Sequence, residues 1–136
     1  MLYQPFDLGR GTLLVTLSHL YLAERVWLEA VEGNPPPGAG ELTFDALADL
    51  EERWDELESR WSRFLASLDA SDLDRVVEKP SSAAASPQRT PLLDVLIHVC
   101  THAQYTIAQA ANMLRQLGQT PPDTPLITLS RGQHSA

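Results

Sequence analysis

The chain contains a single cysteine, Cys100, which excludes an internal disulfide framework and any zinc finger built on paired cysteines. It has no apolar run near the roughly 20 residues that a membrane span requires. Its first residues, MLYQPFDLGRG, lack the basic start and apolar core of a signal peptide, so a cytoplasmic address is expected. Basic residues are scarce: 10 Lys and Arg against 18 Asp and Glu leave a net charge of −8. Such a chain repels phosphate backbones and anionic lipid, which argues against nucleic acid and membrane surfaces as partners. It also lacks a phosphate-binding glycine loop, a Ser-His-Asp order and a DNA-reading helix.

What is present suits a small globular domain. The 136 residues are 43% apolar and 21% charged, enough for one core and for a single domain spanning residues 1–136. The charge is uneven, since residues 41–79 carry twelve acids against five basic residues. That segment reads as a solvated helix face plus a loop.

Three long helical segments account for most of the chain. The first runs from about Thr12 to Val31 with Thr12 as its N-cap, and Leu13, Leu17, Leu20, Leu28 and Val31 recur at helical spacing. The proline-rich NPPPGAG at 34–40 stops it. The second spans about Phe44 to Leu68 with Thr43 as the candidate cap. Leu47, Trp54, Trp61 and Leu68 repeat every seven residues, with Leu50, Leu57 and Phe64 between them. This seam reads as core, and its tryptophans as packing rather than an aromatic ligand box. DLDRVVEKP offers a short strand and SSAAASPQR a small, polar connector. The third helix is expected from Thr90-Pro91, a cap and a first-turn proline, to Leu117, with Gly118 closing it. Residues 119–136, with three prolines at 121, 122 and 125, are expected to form an extended C-terminal tail. The fold class is all-α, an up-down helical bundle of the four-helix type with three long helices visible.

The chemistry concentrates on the third helix. His98 and His102 are one turn apart, so both imidazoles share a face, which Tyr105, Thr106 and Gln109 continue. Two imidazoles at that spacing chelate a divalent metal when another element adds a ligand, and otherwise decorate a surface or core. His19, at the edge of the first helix's apolar stripe, is the candidate for that ligand. Glu24 falls inside the same stripe, where a carboxylate needs a partner. It is read either as a buried pair with an arginine or a bond to an aromatic, or as an acid orienting His19. Leu93, Leu96, Cys100, Ile107 and Leu114 fall near the opposite, apolar pole of the third helix. Cys100 is therefore expected to be a buried, unreactive thiol. The RGQH at 131–134 lies in the tail and makes a poor site.

Three blocks together resemble the DinB (DNA-damage-inducible) or YfiT-like family of helical-bundle metalloenzymes. PFDLGRGTLLVTLSHLYLAERVWL (5–28) is similar to the family's glycine-containing lead-in and TLxHL helix. Residues 41–79 resemble its second long helix and connector. TPLLDVLIHVCTHAQYTIAQAANMLRQLGQTPPD (90–123) is similar to its last helix, of the form HVxNHxxxHRxQ followed by LRxLG. The resemblance implies a divalent metal, zinc or nickel, on three histidines. His19 and His102 match the first two ligands, but the third position is Thr106, a poor neutral ligand. Gln109 matches the family glutamine, and His98 a histidine that opens the motif without being a ligand. Glu24, His98 or a partner chain is left to supply the missing donor.

Two functions follow from the resemblance. One is a metal-binding protein whose activity is at most that of a metal-dependent thiol transferase or hydrolase. The other is a metal-free, non-catalytic bundle acting as a small-ligand or protein-interaction module in a stress response. Family members carry a further long helix before the lead-in. The apolar surface this would leave on the first two helices implies either a homodimer or an upstream segment.

Overall fold

A computed structural model describes residues 1–81 and 85–134, the last two by their backbone alone. Among the described residues, four α-helices, two short 3-10 helices (Ala39–Glu41 and Ala70–Asp74) and one antiparallel strand pair make up the regular structure. Helix α1, Leu13–Glu32, begins where Thr12 adopts extended φ and ψ and its hydroxyl accepts the Val15 N–H at 3.2 Å. It ends at Gly33, whose φ of 76° places it in the left-handed region that closes a helix. Helix α2 covers Leu47–Ala66 and helix α3 Leu92–Gln116. Gly118, with φ of 75°, closes α3 through a bond from the Gln119 N–H to the Leu114 carbonyl.

The core forms where these helices bury their leucines. Tyr21, Leu28 and Val31 of α1, Leu50, Leu57 and Trp61 of α2, and Leu92 and Val95 of α3 share one cluster. The heptad seam of α2 supplies its share as the spacing predicts. Trp54 meets Tyr21 edge-on with ring centroids 5.8 Å apart, and both are packing residues. Tyr21 meets Trp54 and Glu29 meets Arg60, so α1 and α2 run parallel. Residues 33–46 provide the return path. α3 is antiparallel to α1 and packs along it.

The local expectations need four corrections. α2 starts at Leu47 and its N-cap is Ala46, with no side-chain cap. Thr43 is not the cap: residues 43–46 lie outside the helix, and Phe44 packs edge-on against Tyr21, ring centroids 5.1 Å apart. The strand at Val76–Lys79, β1, has a partner unforeseen in the sequence: Gln88–Pro91, β2, antiparallel, with Val76 opposite Pro91 and Lys79 opposite Gln88. This pairing takes Thr90 and Pro91 into the strand and moves the first turn of α3 to Leu92. The connector's residues 82–84 lie outside the described residues.

The tail is the third correction. Helix α4, Leu126–His134, follows the last proline, Pro125. Proline is compatible with the edge of a first helical turn, and nothing beyond Pro125 breaks the pattern. Residues 135 and 136 lie outside the described residues.

The fourth concerns the face that α3 buries. Leu92, Val95, Thr106, Ala110 and Met113 are the buried positions, one residue round from the pole expected on the wheel. Leu93 and Ile97 are 43% and 52% exposed, and Cys100 is exposed rather than buried. Helix α3 has two apolar stripes, and α1 covers only one of them.

Candidate functional site

Antiparallel packing of α1 on α3 pairs Thr16 with Met113, His19 with His102 and Trp27 with His98. The Nε2 atoms of His19 and His102 stand 3.2 Å apart, with the rings edge-to-face and their centroids 5.1 Å apart. Both side chains are half-buried. The structure thus brings together two imidazoles separated by 83 positions.

A third group arrives from the lead-in. Gly9 and Gly11 both have positive φ, 59° and 93°, and the Phe6 N–H donates to the Gly11 carbonyl at 2.7 Å. This tight turn presents Arg10 beside α1, with Nη2 3.2 Å from Nε2 of His19. Arginine only donates, so His19 accepts at Nε2 and carries its proton on Nδ1. The contact between the imidazoles is then a hydrogen bond only when His102 donates from its own Nε2. Burial holds His19 below its usual pKa, reinforced by the charges of Arg10 and His102. Burial does the same for His102, reinforced by His98 and Arg10. Both rings are therefore neutral at pH 7.

The spacing of the two nitrogens suits a shared cation, because tetrahedral zinc bonds of about 2.0–2.1 Å put ligand nitrogens about 3.3 Å apart. The remaining donors do not. Thr106, one turn beyond His102, is 2% exposed and offers a neutral hydroxyl. Arg10 already directs its permanent positive charge at the lone pair that a metal needs on His19. Among the described residues no trio of His, Cys, Asp and Glu is grouped to hold a metal. The donors present do not fit a resident metal on three histidines.

The other candidates lie elsewhere. His98 is exposed and packs edge-on against Trp27, ring centroids 5.5 Å apart, while its ring centre is 6.0 Å from that of His102. Gln109 reaches the lead-in rather than the imidazoles, its Oε1 standing 3.0 Å from where a Cβ on Gly9 would be. Glu24 lines a different cavity, with Glu58, Trp61 and Cys100. It has no hydrogen-bond or ion-pair partner among the described residues, and burial followed by the charge of Glu58 raises its pKa to about 7. The buried, paired carboxylate of α1 is instead Glu29, 6% exposed, which Arg25, Arg60 and Asn34 all contact.

Glu24 carries a pH prediction. Its pKa rises from 4.5 to about 7 on folding. The folded state therefore holds this proton more tightly, and stability drops as pH climbs through that window. Glu24→Gln is expected to flatten that fall and to gain about 1–2 kcal/mol near pH 8, after allowance for partial exposure. Urea denaturation at about pH 5 and about pH 8 measures it. Equal stability differences at both pH values would exclude the effect.

Neither Arg10 nor Glu29 was singled out from sequence. For Arg10 a signal was available, a cation between two glycines immediately before a helix cap. For Glu29 it was the i, i+4 spacing from Arg25.

A cleft of ≈ 380 Å³ opens beside this cluster. Arg10, Ser18, His19, Leu22, Phe44 and Asp45 are among its lining residues. It joins a guanidinium, an imidazole and the Asp45 carboxylate to an apolar wall.

The chain belongs to the DinB family, whose model matches residues 1–133. A search of curated proteins finds no match.

Proposed function

We propose that this DinB family member is a metal-free bundle that binds a small organic anion at Arg10, His19 and His102. The observation that carries the reading is the guanidinium placed on Nε2 of His19 at 3.2 Å. A cation fixed there opposes a second cation and favours a carboxylate or phosphate. The neutral His19 ring adds a hydrogen-bond donor, its Nδ1–H, without a net charge. Leu22 and Phe44 offer the adjoining surface for an apolar body.

The competing reading, a divalent centre on His19 and His102 with a substitute third ligand, is favoured by the separation of the two nitrogens. Elemental analysis of protein purified without a histidine tag separates the two. The expected result is metal far below one equivalent. Histidine resonances of His19 should shift on adding benzoate to the native chain and stay unmoved in Arg10→Ala. Near-stoichiometric zinc or nickel that is lost in His102→Ala would overturn the proposal and establish the metal centre.

A further inference from the structure

Helix α1 contacts both α2 and α3, and a trough runs along α2, bordered by α1 at one end and by α1 and α3 at the other. Two cavities of ≈ 390 Å³ each lie along it, and Glu58 borders both. On α2 the trough runs from Leu47 to Leu65, a helical rise of about 27 Å. Its walls are apolar: Leu17, Leu20 and Trp54 at one end, Leu65, Leu96 and Val99 at the other. Leu96, Cys100 and Ala103 belong to the second apolar stripe of α3, the one α1 leaves uncovered.

The charges along the trough have one sign. Glu51, Asp55 and Glu58 form a row at i, i+4 and i+7 on α2, Glu24 lines the trough from α1, and no lysine or arginine lines either cavity. Glu24 has no ion-pair partner there among the described residues, and burial, followed by the charge of Glu58, raises its pKa. Trp61 also lines the trough, and its indole Nε1 is buried without a hydrogen-bond partner.

We propose that this trough is a docking groove for an amphipathic helix of a partner protein, one with an apolar face flanked by lysine or arginine. The apolar face covers the leucines and Trp54, and the basic flank pairs with the α2 carboxylates. Helix α4 does not meet this description. Its nine residues span only about 13 Å, and it borders a separate cavity with Gln104 and Ile107 of α3. The same face of a second copy does not meet it either, since a symmetric contact would oppose two acidic rows, and each chain carries a net charge of −8.

The test uses the full chain and a fluorescein-labelled synthetic peptide of about 18 residues, long enough to span the trough. Its leucines sit at i, i+3, i+4 and i+7, with lysines on the flanks. A second peptide replaces every lysine with glutamate. Fluorescence anisotropy should show the lysine peptide binding at least about tenfold more tightly than the glutamate one, weakening as salt is added. The triple variant Glu51→Lys, Asp55→Lys and Glu58→Lys alters only exposed side chains, and it should reverse the preference. Equal affinity for both peptides, no binding of either, or binding that the triple variant leaves unchanged would overturn the proposal. So would light scattering that shows a dimer dissociated by the triple variant, since the occupant would then be a second copy.

Discussion

Glu29→Ala is expected to lower the stability of the fold by about 3 kcal/mol, because it removes the carboxylate that two arginines share and leaves Arg60 only Glu32 and Arg25 chiefly the Tyr21 hydroxyl. Arg60 grips Glu29 through both nitrogens, Nη1 to Oε1 at 2.7 Å and Nη2 to Oε2 at 3.0 Å. Arg25 donates to Oε1 at 2.5 Å and Asn34 to Oε2 at 2.9 Å. Arg60 also donates to Glu32. One side chain thus joins the last turns of α1, the return loop and α2, and it sets the parallel alignment of the two helices. Hydrogen bonds from Arg60, then from Asn34 and Arg25, hold its pKa near 2 against the opposing effect of burial. The stabilisation is accordingly complete above the unfolded value of 4.5 and lost as pH falls through the folded one. In urea denaturation, Glu29→Ala combined with Arg60→Ala should cost less than the sum of the single changes, since either one alone already breaks the bidentate pair. A loss below about 1 kcal/mol for Glu29→Ala would show the cluster to be solvent-screened like an ordinary surface pair.

Gly9→Ala is expected to cost about 2–3 kcal/mol, more than backbone strain alone accounts for. Gly9 has φ of +59°, and a methyl there would stand 3.0 Å from Oε1 of Gln109, 3.2 Å from Cε of Met113 and 3.3 Å from Oγ1 of Thr16. The lead-in crosses α1 and α3 at this point, and its next residue is Arg10. Gly33, at φ +76° with nothing within 4 Å of the same methyl, provides the reference. Gly33→Ala isolates the left-handed backbone penalty at about 1 kcal/mol. The displacement at Gly9 should also move Arg10, so the His19 resonances should change in Gly9→Ala and not in Gly33→Ala. Equal costs for the two variants, with His19 unmoved, would show that the close approach at Gly9 matters to neither stability nor site.

Part of the candidate site is legible in the sequence. His19 stands out at the edge of an apolar stripe, and His102 in a helical repeat of polar positions. The absence of a third imidazole at Thr106 was equally plain. Glu24 and Glu29 illustrate the limit. A helical wheel ranks Glu24 as the intruder because it counts only the neighbours on α1. Burial depends on which helices arrive, and α2 covers Glu29 with Arg60 while the trough leaves Glu24 half open. The error on Cys100 has the same origin, since a helix with two apolar stripes does not state which one its neighbour will take.

Residue order alone sets what is local: the cap at Thr12, the stop of the first helix before the prolines of 34–40, the heptad seam of α2, the closing turn at Gly118 and the surplus of acid on 41–79. Each follows from interactions within a few positions along the chain. Long-range placement required the packed molecule. The partner of β1, the parallel course of α1 and α2, the Arg10 guanidinium on His19 and the open trough beside Glu58 all join segments distant in sequence. Such contacts depend on how whole helix faces compete for burial, and spacing within one helix does not decide which neighbour covers its apolar face.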